Sequence, residues 1–139
     1  MNITIIDGQG GQLGAQLVKE ILTHFQNIGI TAIGTNTVAT TAMLKSGAHN
    51  AATGENAVIV ACRNSDVIIG PVGIVIADSL LGEITTKMAV AISQANAIRI
   101  LIPMNKCSNI IAGVSNINTK ALIEDVILKL HNIIDNCNH

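Results

Sequence analysis

The stretch "IIDGQGGQLG", residues 5–14, carries two isoleucines into an acid and then four glycines within seven positions. An apolar run ending at Asp7 reads as a strand. Beyond it, Leu13, Leu17, Val18, Ile21, Leu22 and Phe25 recur at helical spacing and form one apolar stripe, with Gly29 ending the segment. A strand, a glycine turn and a helix in that order open a doubly wound α/β sheet. In Gly8-x-x-Gly11-x-x-Gly14 the first glycine suits a tight turn and the second lets the backbone approach a phosphate. The third lets helix and strand pack closely. The helix start adds unpaired N–H groups and a partial positive charge. Gly8, Gln9, Gly10, Gly11 and Gly14 are therefore the expected phosphate-binding set. The rival reading keeps the same glycines for geometry alone.

The remaining chain repeats the pattern. β-Branched runs "ITII" (3–6), "ITAIG" (30–34), "DVIIG" (66–70) and "IRILIP" (98–103) suit strands of a parallel sheet buried on both faces. Between them, a helix is expected from an Asn36 cap to Gly47. The spacing favours helix for "GENAVIVACRN" (54–64), with Thr53-Gly54-Glu55-Asn56 as its cap. Leu122, Ile123, Val126, Ile127, Leu130 and Ile134 form a last stripe, with Glu124 and Asp125 early and Lys129 and His131 late, as the helix dipole favours. The segment "SNIIAGV" (108–114) is expected to add an edge strand. The fold class is a Rossmann-like, doubly wound, mostly parallel, three-layer α/β sheet, with residues 1–139 as one domain.

Of the 139 residues, 49% are hydrophobic and 12% charged. So little charge for so much apolar surface points to partly covered helix faces, most simply in a homo-oligomer. The net charge of −1 and scattered basic residues exclude a nucleic-acid binder. "VIIGPVGIVIA" (67–77) is too short to span a bilayer. "MNITIIDG" lacks the features of a signal peptide, and three cysteines without C-x-x-C fit a reducing compartment. The expectation is a cytoplasmic protein without membrane contact.

In such a sheet the ligand crevice lies beyond the carboxyl ends of the strands. Those ends read Asp7 to Gly11, Gly34-Thr35-Asn36, Gly70-Pro71-Val72-Gly73 and Met104-Asn105-Lys106-Cys107. All are small, polar or flexible, which adds Thr35, Asn36, Gly70, Gly73 and Asn105 to the expected ligand contacts. Asp7 with Mg²⁺, Lys106 as a charge partner and Cys107 as a nucleophile are the catalytic candidates. Against an ordinary dinucleotide stand the uncharged second strand end and the absence of Tyr and Trp. The G-x-G-x-x-G register also fails at Gln9. The loop spacing is similar to that of extended short-chain dehydrogenases, but their Tyr-x-x-x-Lys pair is missing.

His49 lies in "SGAHNAATGEN", a polar loop long enough to act as a lid. Glu55 in the same stretch is a possible base or Mg²⁺ ligand. No ligand spacing supports a His49–Cys107 metal pair, so no metal site is expected. Cys62 reads as core and Cys137 as tail. Asp78 and Glu83 in "ADSLLGEIT" are a conceivable acid/base pair, read by default as a solvated helix face.

The blocks "IIDGQGG", "IGTNTVATTAMLKSGAHNAATGEN", "DVIIGPVGI", "LLGEIT" and "ILIPMNKC" together resemble a family of short bacterial proteins classed as a domain of unknown function. The likeness runs from the first strand to Cys107. It implies a stand-alone Rossmann-like domain and carries no activity and no catalytic residues. The expected function is binding of a nucleotide or other phosphorylated small molecule at the glycine loop, in sensing or regulation. The alternatives are a small enzyme acting on a phosphorylated or carbonyl substrate through Asp7 with Mg²⁺ or Cys107 with Lys106, and a structural oligomer subunit.

Overall fold

The computed structural model describes residues 1–104, 108–115 and 118–138. In chain order the elements are β1 (Asn2–Asp7), α1 (Gln12–His24), β2 (Gly29–Gly34), α2 (Thr37–Lys45), β3 (Asn50–Thr53), α3 (Glu55–Cys62), β4 (Val67–Pro71), α4 (Thr86–Gln94), β5 (Ile98–Ile102) and α5 (Thr119–Cys137). The strands pair in parallel, in the order β3-β2-β1-β4-β5. Successive side chains of a strand point to opposite faces, so a continuous Ile/Val strand needs cover on both. Ile3, Ile5, Val67 and Ile69 accordingly pack with α1, α2 and α5. Ile6, Ile33 and Ile68 pack with α3 and α4. The three-layer Rossmann-like reading holds.

Local capping follows the sequence closely at most helix starts. Asn36 accepts from the Ala39 amide at 2.9 Å, Thr85 from Met88 at 3.1 Å and Asn118 from Ala121 at 2.8 Å. At the other end of α4, Arg99 donates to the Ala95 carbonyl at 2.9 Å. That bond satisfies an acceptor which the helix itself leaves open.

Four expectations are corrected. The stretch read as a lid contains β3, which pairs with β2 through Thr31 to Gly34 and forms one sheet edge. Residues 108–115 contain no strand: Ile110 is 97% exposed and Gly113 turns the chain at φ 86°. At α3 the capping position is Gly54, without a side-chain cap bond, because the Thr53 hydroxyl pairs with that of Thr40 instead. Since α5 runs from Thr119 to Cys137, Glu124, Asp125, Lys129 and His131 lie inside the helix, outside its end turns. There Lys129 pairs with Asp125 one turn away. Among the described residues no helix is long and apolar enough to cross a membrane.

From β1 the chain moves outward through β2 to β3, then crosses to the other side of β1 for β4 and β5. The connections leaving β1 and β4 therefore diverge. A crevice opens between their carboxyl ends, the usual ligand position in sheets of this kind.

Candidate functional site

Asp7 is the last residue of β1 and only 6% exposed. Its Oδ1 accepts from the Gly8 amide at 2.8 Å and its Oδ2 from the Gly14 amide at 2.7 Å. One carboxylate thus ties the strand end to the first turn of α1. Burial pushes the Asp7 carboxyl above its ordinary value, and Glu83 adds to the rise. The two amide bonds pull the other way without cancelling it.

The glycines of the loop are filled by protein. A Cβ on Gly8 would stand 2.6 Å from Thr35 Oγ1, and one on Gly14 would stand 2.5 Å from Met43 Sδ and 2.9 Å from Asp7 Cβ. Gly11 adopts φ 73° and would place a Cβ 2.6 Å from the Cα of Ala39 in α2. Only Gly10 faces open space, with nothing nearer than Gln12 Cγ at 4.0 Å. Close packing therefore explains Gly8, Gly11 and Gly14 without a ligand, as the geometry-only reading expects.

Beside this loop lies a cavity of about 400 Å³, lined by Asp7, Gly8 and Gln9 on one side and Pro71, Gly73 and Met104 on the other. Ser79, Leu80 and Leu81 complete its lining. They belong to a turn between β4 and α4 in which three non-glycine residues are left-handed: Asp78 at φ 68°, Leu80 at 57° and Leu81 at 56°. Leucine pays about 1–2 kcal/mol in that region. Leu81 is 96% exposed.

The same turn delivers Glu83 to the glycine loop. Its carboxylate accepts from the Gln9 amide at 3.0 Å, from Thr35 Oγ1 at 2.6 Å and from Asn36 Nδ2 at 2.7 Å. Asn36 also donates to the Gln9 carbonyl, so the strand ends of β1 and β2 are held together around this one acid. Partial desolvation alone would raise the Glu83 carboxyl. The hydrogen bonds from Thr35, Gln9 and Asn36 outweigh it and hold the group below its ordinary value of 4.5.

Thr35, Asn36, Gly73 and the glycine loop are thus gathered at one rim. Gly70, expected as a ligand contact, lies inside β4 and does not line the cavity; a Cβ there would stand 2.4 Å from the Ile6 carbonyl oxygen of the neighbouring strand. The helix-face reading of Asp78 and Glu83 is corrected: both sit in a turn, Asp78 exposed and Glu83 bonded to the loop. His49 stands at the opposite end of β2, where its Nδ1 accepts from the Ile30 amide. Asn105, Lys106 and Cys107 lie outside the described residues. Among the described residues no three His, Cys, Asp or Glu groups are grouped to hold a metal. Ser79, Leu80 and Leu81 line the cavity without belonging to any motif the sequence marks as a site. The Leu-Leu-Gly run just before Glu83 was the available signal of a tight turn.

The two acids have opposite pH signatures. A depressed Glu83 stabilises the fold above its ordinary value of 4.5, and that contribution is lost as pH falls through its folded value. A raised Asp7 contributes stability below its ordinary value of 3.8 that is lost as pH rises through its folded value. In urea titrations between about pH 3 and 6, Glu83→Gln therefore abolishes acid destabilisation in that window and exposes the opposite Asp7 trend. Equal pH slopes in wild type and variant would rule this out.

Among curated proteins none matches the chain. A solved structure, that of a dodecameric FMN-dependent UbiX-like decarboxylase from Escherichia coli O157:H7, is similar at 16% identity and a TM-score of 0.46. The match covers 95% of this chain and 75% of that one. The sequence pattern of one family extends over nearly the whole chain, residues 2–135, and the protein belongs to that family, described as a domain of unknown function (DUF3842).

Proposed function

We propose that the crevice between the carboxyl ends of β1 and β4 binds a phosphorylated small molecule, with nucleotides among the candidates, in a sensing or regulatory role. The observation that carries this reading is the cavity of about 400 Å³ at the point where the strand order reverses. Its wall is mixed: Leu80, Pro71 and Met104 offer apolar surface, while Gln9 and Ser79 offer hydrogen bonds. The Gln12 and Leu13 amides, first in α1, make no hydrogen bond among the described residues. They are open donors at the start of α1, but Gln12 faces a separate groove that it lines with Gly10, Thr37 and Lys45.

Catalysis through Asp7 and Mg²⁺ has less support, because both Asp7 oxygens are engaged by Gly8 and Gly14. The homo-oligomer reading draws on Val60 of α3 and Val90 of α4, both exposed. Cytoplasmic residence belongs to the same proposal and rests on composition alone.

A thermal-shift screen of nucleotides and sugar phosphates, with and without Mg²⁺, tests the binding. Ligand at a hundred times its dissociation constant adds about 2.7 kcal/mol of stability. Ser79→Asp, at a lining residue, places a carboxylate in the cavity and weakens the hit. A panel with no shift in wild type would overturn the reading.

A further inference from the structure

Glu83 sits where an incoming acid would be expected to sit. Three donors from two strand ends, the Gln9 amide, the Thr35 hydroxyl and the Asn36 amide group, converge on its carboxylate. Gln9 and Asn36 are fixed independently of Glu83, and Thr35 is held through its backbone amide, which donates to the Asp7 carbonyl at 3.0 Å. Gln9 follows the Asp7-tied turn, and Asn36 is held by its cap bond to Ala39 and its bond to the Gln9 carbonyl. The cradle is therefore preformed, and it borders the crevice through Gln9 and Leu80.

We propose that this cradle is an oxyanion subsite which the protein's own Glu83 occupies when no ligand is bound, and that a ligand's carboxylate or phosphate group enters by exchange with it. Charge requires exchange in place of addition. Asp7 and Glu83 already face one another across the loop closely enough to raise the Asp7 carboxyl. No Lys or Arg lines the cavity among its described residues. A further anion beside both acids would meet uncompensated repulsion at short range. Exchange with a carboxylate keeps the charge in the cradle constant, exchange with a phosphate adds at most about one charge, and in both every donor stays satisfied.

The turn that carries Glu83 is suited to moving. Asp78, Leu80 and Leu81 are left-handed without being glycine, so leaving the closed position relieves backbone strain while the Glu83 bonds are lost. The two states are then separated by the difference between these effects, and a ligand acid that fills the cradle tips the balance.

The inference deepens the proposed crevice site and rests on that reading, but its test does not need the natural ligand. Glu83→Ala empties the cradle. Its melting temperature falls below wild type and recovers with millimolar acetate or inorganic phosphate, compared with chloride at matched ionic strength. Wild type shows no such gain, and Thr35→Val in the Glu83→Ala background removes most of the recovery. Should Glu83→Ala not fold, Glu83→Gln carries the same comparison, its neutral amide being the weaker occupant. Variants indifferent to both anions, or a gain of equal size in wild type, would overturn the proposal. A recovery without any hit among phosphorylated metabolites would uphold the cradle while removing the crevice ligand. The reverse pattern would uphold the crevice and remove the cradle.

Discussion

Gly11→Ala lowers the unfolding free energy by about 3 kcal/mol, while Gly10→Ala in the same loop changes it by less than about 1 kcal/mol. The contrast follows from two features that Gly11 has and Gly10 lacks. Gly11 is left-handed at φ 73°, and a β-carbon there costs about 1–2 kcal/mol. The added Cβ would also stand 2.6 Å from the Ala39 Cα and 2.9 Å from its carbonyl oxygen. Backbone atoms cannot rotate away, so α2 must shift against α1, and overpacking of this kind costs roughly 1–3 kcal/mol. Urea unfolding reads the result as a lower midpoint at an unchanged slope. Similar losses at both positions would mean that the approach of α2 to the loop does not select glycine. The outcome also bears on ligand tests: any side chain at Gly11 reports unfolding first, which makes lining residues such as Ser79 the informative positions.

The strand–turn–helix opening was legible because each of its signals is local. Continuous Ile/Val runs marked β1, β2, β4 and β5, and the Leu13–Leu17–Ile21 spacing marked the buried face of α1. Asn36 announced its own helix. What escaped depends on contacts distant in sequence. β3 reads Asn-Ala-Ala-Thr, with no β-branched run, and becomes a strand through its pairing with β2. The run at 108–114 has the apolar content of a strand, yet Ile110 is exposed. Glu83 was visible as an acid near a strand end, but its partners Gln9, Thr35 and Asn36 lie between 47 and 74 residues away. Nothing in "LLGEIT" itself distinguishes an acid bonded to the glycine loop from one on a solvated face. The glycines show the same limit. Their spacing states that Cβ atoms are excluded, and only the fold states that Thr35, Ala39 and Met43 do the excluding at Gly8, Gly11 and Gly14.

Ile84→Ala has an effect of similar size and reaches the cradle. Ile84 is fully buried between β4 and α4, in the cluster that includes Ile74, Met88 and Ile92. Truncating a buried isoleucine to alanine costs roughly 2–5 kcal/mol. Ile84 also closes the turn that bears Glu83: its amide donates to the Ser79 carbonyl at 3.1 Å and its carbonyl accepts from the Asp78 amide at 2.7 Å. Burial of one side chain therefore seats the adjacent carboxylate on Thr35 and Gln9. Loss of that anchor loosens Glu83 as well as the core, so Thr35→Val costs less in the Ile84→Ala background than in wild type. A double-mutant cycle by urea unfolding reads this coupling, expected within about 0.5–3 kcal/mol. Ile92→Ala is the control, because Ile92 is equally buried in the same cluster but lies in α4, away from the turn. Its cost adds to that of Thr35→Val. If Ile84→Ala were additive as well, the turn would hold Glu83 without help from the core, and the cradle would be set by its own hydrogen bonds alone.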